Sequence, residues 1–156
     1  MVGDRYMEEC KIMENNKNIQ AFNCGYNCAQ AVLLGKCEEL GLDVKMASKL
    51  AELFGGGLSG MRTDVCGAVS GALMLLGLHF GRTEGEDTET KESAGKLGRE
   101  FIAAFTEKFG AIRCGELIKI AAEKDPESVK RVGAHMPVCT EMVRYAAELA
   151  DKMIGE

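Results

Sequence analysis

The sequence predicts an all-α protein, a bundle of six or seven helices in a single helical domain that spans residues 1–156. Two observations indicate this class. Apolar residues recur at the spacing of an amphipathic helix along almost the whole chain, and no segment alternates apolar and polar residues as a half-buried strand does. With 156 residues, of which 46% are hydrophobic and 28% charged, the chain also has the size and composition of one globular domain.

The first predicted helix follows Asp4, a candidate N-cap residue. Tyr6, Cys10 and Met13 share one face of this helix because they are separated by four and then three positions. Cys10 therefore lies on the apolar stripe, where packing in the core is its simplest role.

Two further helices are predicted before residue 55. The segment NCAQAVLLGKCEELG has Asn27 as a candidate N-cap and Gly41 as a candidate residue just past the helix, which places Cys37 inside it. The segment DVKMASKLAELFGGG begins after Asp43. The glycines of GGGLSGMRT (residues 55–63) then indicate a flexible loop. It does not have the form of a phosphate-binding loop, because no strand precedes it and no Gly-Lys-Ser or Gly-Lys-Thr follows.

The fourth predicted helix is TDVCGAVSGALMLLGLHFG (residues 63–81), capped by Thr63 or Asp64. Glycine inside a helix costs about 1 kcal/mol relative to alanine, so Gly67 and Gly71 need an explanation. Together with neighbouring alanines they make one face almost free of side chains. Either another helix packs closely there, or the space beside Cys66 accommodates a cofactor, with Gly67 and Gly71 lining it.

The last third of the chain carries three predicted helices. Residues 81–87 form an exposed connection, and the fifth helix runs from Thr88 to Phe109. The sixth contains CGELIKIAAEK and ends near Asp125, and the last begins at HMPVC and continues to Ile154. Pro137 suits the first position of that helix. The apolar stripe of the fifth helix consists of Ala94, Leu97, Phe101, Ala104 or Phe105, and Phe109.

The composition excludes several classes of partner. The net charge is −5 and no cluster of Lys and Arg stands out, which argues against a nucleic-acid or anionic lipid surface. The N-terminus carries charges where an export signal would be apolar, and the longest apolar run (residues 65–80) is too short to span a bilayer. We therefore expect a cytoplasmic protein without membrane insertion. A homodimer is compatible with these properties.

Seven cysteines are unusual in a reducing compartment, where a disulfide framework is not expected and redox chemistry or metal binding competes with simple packing. Four of them, Cys28, Cys66, Cys114 and Cys139, stand near predicted helix starts. Free amide groups and the helix dipole favour a thiolate there. We therefore expect these four to converge on one site, with Cys66 as the best nucleophile and with a lowered pKa.

The residues CGAVSG, together with Cys28, Cys114 and Cys139, resemble the redox-active proteins named for their C-GCAxxG-C-C pattern. The resemblance continues through FNCGYNCAQAVL, LFGGGLSGMRTDVCGAVSGALMLLGLHFGR, FTEKFGAIRCGELI and VCTEMVRYAAELA, so it covers most of the chain. It implies that the family's four cysteines are Cys28, Cys66, Cys114 and Cys139. It further implies a small helical protein of redox or metal metabolism.

Three functions remain open at this point. A thiol–disulfide or electron-transfer protein would use the four cysteines as catalytic residues with a redox partner protein, and Cys24 with Cys28 would be an additional CxxxC couple. A carrier or structural protein would use the same four as ligands of zinc or an iron–sulfur cluster. A non-catalytic interaction protein would only pack them. His135 is interpreted as an exposed residue before the last helix rather than a ligand. Whether the protein is an enzyme stays open.

Overall fold

The computed structural model describes residues 16–155, and in this range the chain forms seven α-helices and two short 3-10 helices. No β-strand occurs in this range. Two isolated β-bridges are present, Val65–Arg113 and Val132–His135. The predicted all-α class is therefore confirmed. The α-helices are α1 (Lys17–Asn23), α2 (Cys28–Leu34), α3 (Val44–Ala51), α4 (Gly67–Phe80), α5 (Thr88–Phe109), α6 (Cys114–Lys124) and α7 (Pro137–Gly155). The 3-10 helices are Glu52–Phe54 and Pro126–Val129.

Several predicted helix ends are confirmed. Asn27 caps α2, and the side chain of Asp43 accepts a hydrogen bond from the amide of Met46 at the start of α3. The bounds of α5 are those predicted, and it ends at Gly110 in the left-handed conformation (φ 92°), which glycine adopts without steric cost. Pro137 is the first residue of α7, as predicted.

The N-terminal part of the chain was only partly anticipated. The predicted helix with Tyr6, Cys10 and Met13 lies outside the described residues, and the short helix α1 was not predicted. α1 has only seven residues, so its stability comes from burying Ile19 and Phe22, which local pattern does not reveal.

The second predicted helix was also too long. α2 ends at Leu34, and a series of turns follows as far as Gly41, which is left-handed (φ 84°). Cys37 lies in these turns, fully buried, rather than inside a helix. The turns replace helix because Cys37 accepts amide hydrogen bonds from Leu40 (3.1 Å) and Leu42 (2.9 Å), which fold the chain back.

Helix α4 starts later than predicted, at Gly67 instead of after Thr63 or Asp64. The reason is tertiary. The amide of Cys66 donates to the carbonyl of Ile112 (2.7 Å), and Val65 pairs with Arg113. The residues before α4 are thereby held extended against the segment that leads into α6.

Helix α4 is the centre of the core. It is apolar on nearly all sides, its buried residues extend from Gly67 to Leu76, and it packs on α2, α7 and α5. A Cβ atom on Gly71 would lie 2.5 Å from the carbonyl oxygen of Ala29 and 3.1 Å from Cβ of Val32 on α2. The predicted close helix contact is confirmed at Gly71, which has no room for a side chain or a cofactor.

The helices α5 and α7 complete the bundle. Phe101, Phe105 and Phe109 are the buried residues of α5, so the stripe passes through Phe105 and not Ala104. The rings of Phe105 and Phe109 contact that of Tyr145 on α7, with centroids 6.2 and 5.4 Å away. Within residues 16–155 no helix combines the length and apolarity needed to cross a bilayer. A single domain over residues 1–156 stays a prediction.

Candidate functional site

The four cysteines singled out by sequence line one cavity of about 330 Å³. Cys28 is the first residue of α2, Cys66 directly precedes α4, Cys114 is the first residue of α6, and Cys139 is the third residue of α7. All four carry free thiols. The predicted convergence at helix starts is thus what the structure shows, although the four residues are far apart in sequence.

Cys28 is held by the cap of α2. The side chain of Asn27 accepts from the amide of Gln30, and the side chain of Gln30 accepts from the amide of Asn27, each at 2.9 Å. The amide groups of the two side chains then reach Glu52: Asn27 donates to its carbonyl (2.9 Å) and Gln30 to its carboxylate (2.6 Å). This network joins the start of α2 to the 3-10 helix Glu52–Phe54, immediately before the glycine-rich loop.

The glycine-rich loop covers Cys28. The amide of Gly56 donates a hydrogen bond to the sulfur of Cys28 over 3.4 Å. The loop was predicted to be flexible, but backbone hydrogen bonds close it: Ser59 to Leu53 (2.8 Å) and Gly60 to Gly55 (3.0 Å). The loop is therefore a defined wall of the cavity.

The same loop meets Cys114. A Cβ atom on Gly57 would lie 2.7 Å from Cβ of Cys114, and Gly57 is left-handed (φ 71°), so glycine is required there twice over. The amide of Cys114 donates to the carbonyl of Asp64 (2.8 Å). The loop thus connects the start of α2 with the start of α6 and sets the position of both thiols.

Cys66 does not have the lowered pKa that its position predicted. Burial raises the pKa of the Cys66 thiol well above its ordinary value, and the charge of a neighbouring Cys28 thiolate raises it further. The amides of Ala68 and Val69 favour the thiolate, but they do not compensate for the loss of water. Cys66 is only 6% exposed, at the bottom of the cavity, so it is a poor choice of attacking nucleophile.

The pKa values of Cys114 and Cys139 are also raised. Burial is the main cause for both, and a Cys28 thiolate adds to it; for Cys139 the pKa rises to about 11. The guanidinium of Arg62 acts in the opposite direction on both pKa values. Cys28 therefore interacts electrostatically with each of the other three, so ionisation of one thiol opposes ionisation of the rest.

His135 lies in the cavity wall, half-buried, and not exposed as predicted. Its ring stacks on that of Phe22, with centroids 3.4 Å apart and planes 11° from parallel, and its Nε2 lies 2.6 Å from the carbonyl oxygen of Phe22. Burial lowers the pKa of His135. A neutral imidazole with its proton on Nε2 satisfies the contact with the Phe22 carbonyl.

The sequence reasoning missed two arginines that line the cavity, Arg62 in the loop after α3 and Arg131 in the turn before α7. Neither forms an ion pair with any residue of the described range. The place of Arg62, four residues before Cys66 in a glycine-rich segment, was a usable signal. Nothing in the sequence indicates that Arg131 faces the same space.

The remaining predicted site residues fall in different places. Gly67 lines the cavity beside Cys28, whereas Gly71 does not line it. Cys24 follows the last residue of α1 and does not line the cavity. The two cysteines of the predicted CxxxC couple, Cys24 and Cys28, therefore do not share it. Cys10 lies outside the described residues.

The cavity has the donor types of a zinc or iron–sulfur site, since thiolates are the preferred ligands of both. However, within residues 16–155 no group of three or more His, Cys, Asp or Glu side chains is arranged to hold a metal ion. The sulfurs do not fit a shared metal in this arrangement.

The fold and the cavity define a small all-α bundle in which four free thiols line one cavity. Residues 26–153 match the model of a family described as "Putative redox-active protein (C_GCAxxG_C_C)". Since this match covers most of the chain, the protein belongs to that family. No curated protein and no solved structure is significantly similar to the chain.

Proposed function

We propose that the protein exchanges electrons with disulfides through the four-cysteine cavity, as a small redox protein of the cytoplasm. The observation that carries this proposal is the convergence of Cys28, Cys66, Cys114 and Cys139 on one cavity. Packing of a hydrophobic core does not require that four thiols from the starts of four different helices line the same cavity. A dithiol that closes to a disulfide does require two of them to be neighbours.

Cys28 is the best attacking group. Its sulfur accepts a hydrogen bond from the amide of Gly56, and the charge of a Cys28 thiolate raises the pKa of each of the other three cysteines. It is also more accessible than Cys66. The Cys28 thiolate would attack one sulfur of a substrate disulfide, breaking that bond. The released thiolate takes up a proton.

The second step releases the other half of the substrate. Cys114 or Cys139, on both of which the charge of Arg62 acts to lower the pKa, would lose its proton and attack the sulfur of Cys28 in the mixed disulfide. A second substrate thiolate leaves and is protonated. Two protein thiols are thereby oxidised to one disulfide, and the substrate disulfide is reduced to two thiols. A redox partner protein would restore the dithiol.

Disulfide formation by the reduced protein tests this directly. Protein purified without oxygen is equilibrated with mixtures of oxidised and reduced dithiothreitol, and the disulfides formed are mapped by mass spectrometry. We expect one intramolecular disulfide that includes Cys28. Cys28→Ser should lose it, whereas Cys24→Ser, which changes a cysteine outside the cavity, should keep it. A disulfide that forms equally in both variants would contradict the proposed role of Cys28.

Metal binding is the second candidate, because four thiols in one wall supply enough donors for zinc or a cluster. It requires the side chains to move closer together than they are. Metal analysis and a visible spectrum of the same oxygen-free protein decide between the two. Stoichiometric metal lost in Cys28→Ser, Cys66→Ser, Cys114→Ser and Cys139→Ser alike would favour the metal site over the dithiol.

A further inference from the structure

The charge of the cavity differs from that of the protein. The chain carries a net charge of −5, but the charged residues that line the cavity are Glu52, Arg62 and Arg131, which sum to +1. The carboxylate of Glu52 is already engaged by the side-chain amide of Gln30 at 2.6 Å. Two arginines without ionic partners in the described range therefore line a cavity that holds four thiols, and Arg131 also donates to the carbonyl of Ala134 (3.2 Å).

Arg62 is held in place by its backbone. It is left-handed (φ 62°), a conformation that costs a non-glycine residue free energy and that persists only where the surroundings impose it. Here two hydrogen bonds impose it: the amide of Arg62 donates to the carbonyl of Gly56 (2.8 Å), and its carbonyl accepts from the amide of Gly115 (2.7 Å). The backbone of Arg62 is thus fixed to the loop that also contacts Cys28 and Cys114, which places the start of its side chain at the cavity.

The size and walls of the cavity suit a small molecule. A volume of about 330 Å³ lies within the range of small-ligand sites, and much of the wall is apolar, from Phe22, Leu117, Ile118, Met136 and Met142. Cys66 at the bottom is 6% exposed, so only a compact molecule that enters the cavity can reach all four sulfurs.

From this combination we infer that the cavity binds low-molecular-weight disulfides that carry carboxylate groups, with Arg62 and Arg131 holding the carboxylates and the apolar wall holding the chain between carboxylate and sulfur. A guanidinium can hold a carboxylate through two parallel hydrogen bonds, which fixes both the charge and the direction of the ligand. The inference rests on the proposed function, since it names the substrate of the same thiols. The atom and electron balance is that given above: the disulfide accepts two electrons and leaves as two thiols.

The test compares three disulfides of similar size and different charge: dithiodipropionate (anionic), hydroxyethyl disulfide (neutral) and cystamine (cationic). Each is mixed with reduced protein, and the loss of thiols is followed with time. The rates are divided by those for the same protein in denaturant, which removes differences in intrinsic reactivity. We expect the anionic reagent to exceed the cationic one by roughly tenfold or more, the size of effect that a cleft of one charge produces. High salt should reduce the preference.

Variants assign the preference to the two arginines. Arg62→Gln and Arg131→Gln should each reduce the ratio of anionic to cationic rates, and the double variant should abolish it. Arg99→Gln removes an equal charge from an exposed position on α5 outside the cavity and should leave the ratio unchanged. Circular dichroism of each variant confirms that the helices are retained.

A binding measurement separates this inference from the proposed function. Thiodipropionate is the thioether analogue of the anionic disulfide and has no bond that a thiol can exchange. By calorimetry it should bind the wild type and Cys28→Ser, and bind the double arginine variant at least tenfold more weakly, as expected for the loss of charge-assisted hydrogen bonds. If the neutral reagent still oxidises the protein but the rate ratios are equal and thiodipropionate does not bind, the inference fails and the redox function stands. If none of the reagents forms a protein disulfide, the proposed function fails, and the assignment of a disulfide substrate fails with it.

Discussion

The sulfur of Cys28 occupies the space into which a side chain on Gly67 would extend: a Cβ atom there would overlap the sulfur, and it would also lie 3.0 Å from the amide nitrogen of Ala29. The absence of a side chain at Gly67 therefore lets the start of α4 approach the start of α2 and leaves room for the reactive group. Cys66 precedes Gly67, so this one glycine brings two of the four thiols to the same wall.

The first expectation concerns Gly67→Ala. The added methyl group should push the Cys28 sulfur into another rotamer and away from the amide of Gly56, because the backbone atoms around Gly67 have less freedom than a thiol. Alkylation of Cys28 in a variant without the other cysteines measures this as a change in rate. Gly77→Ala, in the same helix with nothing within 4 Å, is the matched control. Identical rates for Gly67→Ala and the parent would contradict the contact.

The second expectation is that Gly71→Leu is strongly destabilising. A leucine side chain would collide with the carbonyl of Ala29 and with Val32, and overpacking of this kind costs about 1–3 kcal/mol or more. Denaturant titration gives the free energy of unfolding.

The control for Gly71→Leu is again Gly77→Ala, at an exposed helical position. It should leave stability unchanged or raise it by about 0.4–1 kcal/mol, because alanine restricts the unfolded chain. Equal midpoints for Gly71→Leu and the parent would show that α4 and α2 are not in close contact at this point.

The third expectation reverses the prediction made for Cys66 from its position at a helix start. In a variant with Cys66 as its single cysteine, the alkylation rate should rise with pH to a midpoint above 9.0, the ordinary thiol value. Burial is the reason, since a thiolate at the bottom of the cavity loses its water. The same experiment with Cys139 alone should give a midpoint at about 11 or below, because no Cys28 thiolate is then present to raise it. A midpoint below 9.0 for Cys66 would restore it as the attacking nucleophile.

The fourth expectation concerns pH and His135, whose pKa burial holds below the ordinary 6.5. The unfolded chain takes up a proton near that value while the folded protein resists it, so stability should fall as the pH drops below 6.5 towards the lower pKa of the folded state. The stabilisation that comes from keeping His135 buried and neutral is fully present above this pH range. Unfolding titrations at about pH 7.5 and about pH 5.5 measure the difference.

The two histidines of the chain provide a matched pair for this measurement. His135→Gln should reduce the loss of stability between the two pH values, because glutamine does not titrate. His79→Gln replaces an exposed histidine and should leave the loss as it is in the wild type. An equal pH dependence in His135→Gln and the wild type would assign the effect to other groups.

The sequence alone determined the class of fold and identified the four cysteines that line the cavity. The helical period follows from the backbone geometry of 3.6 residues per turn, so apolar spacing reveals helices such as α5 without knowledge of their partners. The cysteines at 28, 66, 114 and 139 were found because local signals such as Asn27 and Pro137 mark helix starts, and because the family resemblance indicates the same four. Gly71 was also recognised as a point of close contact, since glycine inside a helix needs a reason.

Only the tertiary structure decided how the site behaves. Whether Cys66 is a reactive thiolate depends on the water around it, and that depends on what packs over it from elsewhere in the chain. The same is true of His135, which is buried by Phe22 more than a hundred positions away, and of the start of α4, which is set by Ile112. Arg62 and Arg131 meet at one cavity because the bundle closes, and no local pattern encodes that meeting. The spacing of residues in the sequence shows which of them lie on one helix. Loss of water around a side chain and interactions between charges depend on how different helices and loops pack together, so they are known only once the chain is folded.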